Sequence, residues 1–387
     1  MIEIIGQFNT AKCFATTLGE NAAEQIKTVC DTEAFASSKI RIMPDVHAGK
    51  GCTIGTTMTV TDKIVPSMVG VDIGCGMYTV YLGKIDVDFA KMDEVAHSIP
   101  HGRNVWEGRQ ERFDLTQLRC HRNLKDTKRL ERSIGTLGGG NHFIEIQQSD
   151  TGFVWLMIHS GSRNLGKRIE ELYQEKAMQL CERFYSPLPH SDLAFLPIQD
   201  ENGHNYLRDM NFALRYAFEN RQRMMACCKT VIADFVPEVR FLREVNIHHN
   251  YAAFEEHFGE MLCVHRKGAT SAKPDEIGII PGSMGTASYI VRGLGNPESF
   301  MSCSHGAGRR MSRAAASKNL TVAECDAAMQ GIVCDRWHPV TRYGKGKDVL
   351  DLSEAPQAYK DIEDVIASER DLVEVQVRLM PLAVVKG

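Results

Sequence analysis

The spacing of apolar residues along the chain predicts a mixture of strands and helices. Short apolar runs at 153–158, 277–280 and 288–291 are typical of buried strands. The segment at about 167–235 has apolar residues three and four positions apart, which indicates helices. Because these elements follow each other without a regular βαβ rhythm, the sequence predicts an α+β fold with a mixed β-sheet core, surrounding helices and a helical lobe at about 167–235. No linker divides the chain, so residues 1–387 are expected to form a single domain.

Other segments give weaker signals. Residues 1–30 resemble a small strand followed by a helix, and residues 68–80 are predicted to form one strand that carries polar residues within it. Residues 86–131 are polar with helical periodicity. A helix is expected to open near 306–310, and the alternation at 371–377 suits a strand that packs into the core.

Composition limits the class of protein. Hydrophobic residues make up 43% of the chain and charged residues 24%, which is ordinary for a soluble globular protein. The N-terminus has no signal-peptide pattern, no run of about 18 apolar residues exists, and the 12 cysteines have no CxxC framework. These features predict a cytoplasmic protein with free thiols and no membrane contact.

The formal charge of −4 argues against a generally basic protein that coats nucleic acid. It leaves room for local basic patches, and three occur at 119–129, 163–168 and 309–313. Each patch fits phosphate contacts, although a solvated helix or loop face is the commoner explanation of a charge run.

The stretch Asp72-Ile-Gly-Cys75-Gly places a carboxylate and a thiol three residues apart, with glycine on both sides of the cysteine. Such glycines allow a tight turn or a close approach to another group. By itself the stretch fits a metal site or an ordinary buried thiol.

Histidines beside glycine or asparagine strengthen the first interpretation. Each one alone fits a hydrogen-bonded structural histidine, but five such positions together favour a polynuclear metal or phosphate site. They are His47, His142, His159, His249 and His305. The candidate ligands exceed the four that one tetrahedral ion needs, which suits two ions. These ligands are Asp72, Cys75, His142, His159 and His249.

Glycine clusters lie next to several of these histidines, at 138–141, 281–285 and 305–309. Exposed backbone N–H groups in such clusters bind phosphate, although a tight turn explains each cluster equally well. The chain contains no GxxxxGK[ST] P-loop and no GxGxxG in a strand-turn-helix context, so neither common nucleotide fold is expected.

Ten ordered blocks together resemble the RtcB family of GTP-dependent RNA ligases, and the resemblance covers essentially the whole chain. The blocks are MPDVHAGKG (43–51), VGVDIGCGM (69–77), GTLGGGNHFIE (135–145), HSGSR (159–163), HHNY (248–251), RKGATSA (266–272), GIIPGSMG (278–285), SYIVRGLGN (288–296), SCSHGAGR (302–309) and the terminal Lys-Gly.

The resemblance implies an enzyme that uses GTP and two Mn²⁺ ions to join RNA ending in a 2′,3′-cyclic phosphate or 3′-phosphate to RNA with a 5′-hydroxyl. His305 matches the histidine that becomes guanylylated, and Cys75 matches a ligand that bridges both ions. The metal ligands of the family match Asp72, Cys75, His142, His159 and His249. Its guanylate contacts match Asn141, His142, Phe143, Ile144, Glu145, His249, Asn250, Pro281, Gly282, Ser283, Met284, Ser288, His305, Gly306, Ala307, Gly308 and Lys386.

Several points stay open. Ligand type alone favours zinc over manganese, so only the resemblance selects Mn²⁺. A dinuclear metal phosphoesterase acting on RNA would share the ligands, and a non-catalytic RNA-binding relative is a third interpretation. The SHGAG block and Lys386 argue against both.

Asn164 stands where the family commonly has glycine, and the aromatic and basic segment 334–350 fits RNA contact or a solvent loop. The resemblance implies RNA with these ends as the partner and allows an accessory activating protein.

Overall fold

The computed structural model describes residues 1–110, 113–184, 188–335, 337, 339–341 and 348–387. Within them the α-helices are α1 (Glu20–Cys30), α2 (Pro66–Val69), α3 (Phe89–Ser98), α4 (Thr127–Glu131), α5 (Leu165–Phe184), α6 (Glu201–Phe235), α7 (Arg313–Asn319), α8 (Val322–Ala328) and α9 (Ile362–Ser368). The strands are β1 (Ile2–Ile5), β2 (Thr10–Cys13), β3 (Ile40–His47), β4 (Ile54–Val60), β5 (Lys63–Ile64), β6 (Gly76–Gly83), β7 (Phe143–Ser149), β8 (Val154–Ser160), β9 (Leu196–Pro197), β10 (Leu242–His248), β11 (Asn250–His257), β12 (Glu260–Lys267), β13 (Ala269–Ser271), β14 (Ile277–Ile280), β15 (Ser288–Gly293), β16 (Ser302–Ser304), β17 (Val333–Cys334), β18 (Pro339–Thr341), β19 (Asp348–Leu350) and β20 (Val373–Lys386).

Two sheets dominate the structure. The first has the order β1-β2-β3-β4-β12-β11, and the second, larger sheet has the order β10-β6-β8-β7-β20-β15-β14 with β17 paired to β20. Among the described strands the pairs are antiparallel except β2 with β3 and β17 with β20. This mostly antiparallel arrangement with helices packed around it confirms the predicted α+β fold.

The helical segment predicted at about 167–235 is formed by α5 and α6, which pack against each other. The second half of α6 also covers one face of the larger sheet, where it buries Met224, Met225, Cys228 and Ile232 in a cluster with strand residues such as Leu156. Apolar residues at three- and four-residue spacing therefore mark the face that this helix turns to the core.

The expected single strand at 68–80 is wrong. Pro66 begins the short helix α2, because its fixed φ suits the first turn of a helix. Gly70 and Gly74 then take φ values of 97° and 76°, which interrupt an extended chain, and β6 begins only at Gly76. The candidate ligands Asp72 and Cys75 therefore lie in a loop that leads into a strand.

Two helix expectations also need correction. No helix opens at 306–310; this stretch is a loop, and α7 begins at Arg313, after the Ser312 side chain accepts a hydrogen bond from the Ala315 N–H. Of residues 86–131, only α3 and α4 are α-helical within the described part. The polar periodicity there reflects short turns that alternate buried and exposed side chains.

The chain crosses between the two sheets at His249, which separates β10 of the larger sheet from β11 of the first. At the C-terminus, β20 lies between β7 and β15, and its Lys386 stands opposite Phe143 in the register. The alternation at 371–377 thus leads into a central strand, as predicted.

The expectation for the aromatic and basic segment 334–350 lies partly outside the described residues, because Arg336, His338 and residues 342–347 are not among them. Within the described ranges, no helix combines the length and apolar character needed to cross a bilayer.

Arg266 on β12 joins the first sheet to the strand that precedes His305. Its fully buried guanidinium donates to both Glu255 carboxylate oxygens at 2.6 and 2.9 Å, and also to Ser302 Oγ and Phe300 O, each at 2.9 Å. Burial raises the pKa of Glu255, but the hydrogen bonds and charge of Arg266 outweigh it and lower this pKa to about 2. The pair therefore stabilises the fold above the ordinary carboxyl pKa, and this contribution is lost as the pH falls towards 2.

Replacing Arg266 by methionine should lower the free energy of unfolding by about 3–5 kcal/mol, because the largely buried Glu255 would lose its bidentate partner and keep only the contact with His257 Nε2 at 3.0 Å. Urea denaturation at neutral pH measures the change. Arg292→Met is the matched control, since Arg292 is 44% exposed and pairs with Glu374 on the surface; it should cost less than about 1 kcal/mol. Equal losses in the two variants would contradict the role assigned to Arg266.

Candidate active site

The five predicted metal ligands converge at the junction of the two sheets. Cys75 lies at the centre, with its Sγ 3.5 Å from His142 Nε2 and 3.3 Å from His159 Nε2. His142 Nε2 also lies 3.2 Å from Asp72 Oδ2, and His159 Nε2 lies 3.5 Å from His249 Nε2. The donor atoms form two groups that share Cys75, one with Asp72 and His142, the other with His159 and His249.

Backbone carbonyl groups orient two of these imidazoles. His142 Nδ1 lies 2.9 Å from Leu137 O, and His159 Nδ1 lies 3.0 Å from Asn141 O. A carbonyl oxygen only accepts, so each Nδ1 carries the proton and each Nε2 presents a lone pair to the centre. This arrangement is typical of metal-binding histidines, in which the second nitrogen fixes the tautomer.

The electrostatics also fit bound cations. Burial, together with neighbouring histidines, holds the pKa of His159 and of His249 well below its usual value, so both rings are neutral. Burial raises the pKa of the Cys75 thiol well above its usual value, and Asp72 raises it further. A metal ion deprotonates a coordinating thiol outright, and neutral imidazoles and a carboxylate are its ordinary companions. The donor set therefore fits two metal ions.

Residues behind the ligands hold the loop that carries Asp72 and Cys75. Arg221 on α6 is fully buried, and its Nη1 donates to Gly74 O at 2.8 Å and to Ser160 O at 2.9 Å. The Ser162 N–H donates to Asp72 Oδ1 at 3.0 Å. A Cβ at Gly161 would lie 2.2 Å from Asp72 Oδ2, so any larger residue there would displace the Asp72 carboxylate.

Asn164 does not disturb this region. It has a φ of 68°, a left-handed conformation that glycine adopts freely and asparagine adopts more readily than most residues. The departure from the family pattern at this position is therefore conformationally neutral.

His305 approaches the same centre from the loop after β16. Its ring centroid lies 4.8 Å from that of His249. Its Nδ1 lies 2.5 Å from Asp45 Oδ2, and its backbone N–H donates to the same oxygen at 3.1 Å. Burial raises the pKa of Asp45, but the charge and hydrogen bond of His305 outweigh it and the net shift is downward. The close contact with the carboxylate favours the tautomer that is protonated at Nδ1, in which Nε2 carries the lone pair.

A pocket of about 290 Å³ opens beside His305 and the ligand cluster. That volume is at the lower end of the range for small-molecule sites. The lining includes these residues from the sequence prediction: Asp72, Cys75, Asn141, Phe143, His159, His249, Asn250, Pro281, Gly282, Ser283, Met284, His305, Gly306, Ala307, Gly308 and Lys386.

Four residues of that prediction lie behind the lining. His142 supports the ligand cluster, and the Ile144 side chain packs in the core below the larger sheet. Glu145 and Ser288 are buried and share the Gln147 amide, which donates to Glu145 Oε2 at 2.5 Å and to Ser288 Oγ at 3.1 Å. Burial raises the pKa of Glu145 to about 7, although the positive charge of Lys386 opposes this shift.

The glycine cluster at 281–285 differs from its prediction in one respect. The Gly282 N–H donates to Ser288 Oγ at 3.2 Å, and the Ser283 N–H donates to Thr286 Oγ1 at 2.8 Å. These two N–H groups donate hydrogen bonds within their own turn, so they are not free to donate to a ligand.

The basic patch predicted at 309–313 contributes Arg309 and Arg313 to the lining. Sequence reasoning did not assign Asp45, Lys267 or Tyr359, although Lys267 and Tyr359 line the pocket and Asp45 contacts His305. Asp45 had a usable signal, because a carboxylate inside the apolar run 40–46 must be paired when it is buried. Tyr359 had none, since nothing in the surrounding sequence links it to the histidines.

Comparison with known proteins agrees with this geometry. The family described as "tRNA-splicing ligase RtcB" matches residues 25–120 and 108–387. The RNA-splicing ligase RtcB of Escherichia coli K12 is 38% identical over 385 residues, covering 91% of each chain. The protein of that name from Mycobacterium tuberculosis H37Rv is 32% identical over 429 residues, covering 89% of this chain and 96% of its own.

An archaeal relative extends the similarity. The tRNA-splicing ligase RtcB of Methanococcus maripaludis is 30% identical over 456 residues, covering 96% of this chain and 92% of its own. Since the family match spans nearly the whole sequence and the relatives align over most of their lengths, the chain belongs to the RtcB family of RNA ligases.

Proposed function

We propose that this enzyme joins RNA ending in a 2′,3′-cyclic phosphate or 3′-phosphate to RNA with a 5′-hydroxyl, using GTP and two Mn²⁺ ions, through a guanylylated His305. It would act in RNA splicing or RNA repair, with residues 1–387 as a single catalytic domain. The observation that carries the proposal is the His305–Asp45 pair, set beside two groups of metal ligands that share Cys75.

His305 has the geometry of an activated nucleophile. Asp45 fixes the Nδ1 proton, so the Nε2 lone pair is free to attack the α-phosphorus of GTP. This attack forms an N–P bond and breaks the bond from the α-phosphorus to the oxygen that bridges to the β-phosphate. Pyrophosphate leaves, and GMP stays on His305. An RNA 3′-phosphate then accepts GMP, and the RNA 5′-hydroxyl displaces it to form the phosphodiester. A 2′,3′-cyclic phosphate must first be opened by water.

The metal ions belong to the two ligand groups. Asp72, Cys75 and His142 would hold one ion, while Cys75, His159 and His249 would hold the other. Bound there, divalent ions offset the negative charge of the triphosphate and of the leaving pyrophosphate. A thiolate and imidazoles suit zinc better than manganese, so the choice of Mn²⁺ rests on family membership alone.

The guanylate would occupy the pocket beside His305, which Lys386 reaches because β20 is a central strand. Burial lowers the pKa of Lys386, while the negative charges of Glu354 and Glu145 oppose this shift. A basic group at this depth suits hydrogen bonding to a base or a phosphate. Glu145 would support Lys386 from behind the pocket lining.

A phosphoesterase that acts on RNA would need the metal ligands but no nucleophilic histidine. The buried Asp45 carboxylate, which contacts both the ring and the backbone N–H of His305, therefore favours the ligase. The described cysteines are free thiols, which supports a reducing cytoplasmic location.

RNA with the ends named above is the proposed partner, and an accessory activating protein is compatible with the proposal.

Incubation with α-labelled GTP and Mn²⁺ should place one covalent label on the protein that survives alkali and is lost in acid, as expected of a histidine phosphoramidate. His305→Ala should abolish the label because the accepting nitrogen is gone. His190→Ala, at a half-exposed surface histidine, should keep it. No label on the unchanged protein, or equal label on His305→Ala, would refute the mechanism. Cleavage of a phosphodiester without GTP would instead favour the phosphoesterase.

Cys75→Ala should reduce both the Mn²⁺ content and the guanylylation, because one donor serves both ligand groups. The metal affinity should fall by at least about 100-fold, measured by elemental analysis after gel filtration. Cys227→Ala, at an exposed cysteine, provides the matched control. Normal metal content together with normal guanylylation in Cys75→Ala would show that the shared-ligand assignment is wrong.

Asp45→Asn should slow guanylylation by about 100-fold or more, since an amide holds the Nδ1 proton of His305 less strongly than a carboxylate does. The KM for GTP and the metal content should change little, because Asp45 acts through His305. Single-turnover label transfer measures the rate, and Asp62→Asn on the surface is the control. An unchanged rate would remove Asp45 from the mechanism.

A further inference from the structure

Residues 101–132 carry a concentration of positive charge that the proposed chemistry does not use. This segment has nine Arg and Lys residues against five Asp and Glu, whereas the whole chain has a net charge of −4. We call its outward cations the basic platform: Arg103, Arg119, Arg122, Lys125, Lys128 and Arg129. The first five are exposed and Arg129 is half-buried.

The inner side of the platform is fixed to the body of the protein. Asp209 on α6 accepts from the N–H of Arg119 at 2.7 Å and from the N–H of Cys120 at 3.0 Å. The Tyr216 hydroxyl donates to Leu130 O at 2.8 Å. Leu115, Leu118, Cys120 and Leu130 are buried beneath the cations. Because the backbone is held from below, the platform is an ordered surface.

Among the described residues, no carboxylate oxygen lies within 4.0 Å of a charged nitrogen of the platform cations. The nearby Arg109 pairs with Glu131 at 2.9 Å. Arg129 uses its Nη2 to donate to the backbone carbonyl of Arg103, which links these two parts of the platform. A bound polyanion would lower the electrostatic repulsion among the clustered cations.

The platform borders the rim of the candidate active site. The Gly102 N–H donates to Gly138 O at 2.6 Å, and Arg163 Nη2 donates to Gly102 O at 3.1 Å. Gly138 lies in the same loop as His142, and a Cβ at Gly139 would lie 3.5 Å from the Gly102 Cα. Asn141 of the same loop lines the pocket, so Arg103, which follows Gly102, is the platform cation that adjoins this loop in the chain.

We propose that the basic platform binds the sugar-phosphate backbone of the RNA whose end lies in the active site. The inference rests on the proposed function, since it supplies the reason why a polyanion is present. Lys and Arg contacts to phosphate fix the position of a nucleic acid but read no sequence. The platform would thus let the enzyme hold RNAs of different sequence by the strand next to the break.

The test uses the triple variant Arg119→Ala/Arg122→Ala/Lys125→Ala of the full-length protein. Binding of a fluorescein-labelled RNA stem with a 3′-phosphate is followed by anisotropy in EDTA without GTP, at several salt concentrations. The variant should bind about tenfold more weakly or worse near physiological salt. Its plot of log binding constant against log salt concentration should lose roughly one unit of slope per removed cation.

Two further variants make the result specific. Lys84→Ala/Arg183→Ala/Arg370→Ala removes three exposed cations on other parts of the surface and should bind RNA normally. Arg119→Lys/Arg122→Lys keeps the charges and should bind nearly as the unchanged protein does, because phosphate accepts either cation. Equal weakening in the two alanine triples, or an unchanged salt slope in the platform triple, would overturn the proposal.

Guanylylation with labelled GTP separates this inference from the function on which it rests. The platform triple should take up label at the normal rate, because GTP does not reach these cations, while its KM for RNA in the joining reaction rises about tenfold or more. If the unchanged protein takes no label, the proposed function fails, and the RNA-binding comparison still decides whether the platform binds RNA.

Discussion

The convergence of Cys75 with His142 and His159 constrains the rest of the structure. The Cys75 Sγ lies within 3.5 Å of the Nε2 atoms of both His142 and His159, all three side chains are buried, and a bound cation would satisfy their lone pairs. Asp72 and His249 extend the same cluster on either side. The two sheets, the crossing between them and the loop before β6 all serve to hold these donors in one place.

Support for the cluster comes mainly from groups that never face the pocket. Arg221 holds the turn of the ligand loop through backbone oxygens, and the carbonyls of Leu137 and Asn141 set the imidazole tautomers. Glycine at position 161 makes room for Asp72. Because rigid backbone groups do the orienting, the ligands lose little freedom when a metal binds.

The proposed nucleophile comes from a different part of the fold. His305 follows β16, which Arg266 ties to the first sheet, and Asp45 on β3 fixes its ring. The metal ligands belong mostly to the larger sheet and the loops beside it. The candidate active site therefore depends on the packing of one sheet against the other, and the basic platform continues its rim on the side of α6.

The sequence by itself determined the α+β class, the helices at about 167–235, the central C-terminal strand and the identity of the five candidate ligands, because each depends on local periodicity or on residue type. The prediction of one strand at 68–80 was wrong because Pro66 and Gly70 set the backbone conformation against the apolar pattern. The sequence analysis also missed Asp45, a charged residue within an apolar run. Only the tertiary structure decided that Asp45 lies against His305, that Arg221 holds the ligand loop, and that Tyr359 reaches the pocket. Those facts depend on contacts between residues far apart in the chain, and no local pattern encodes them.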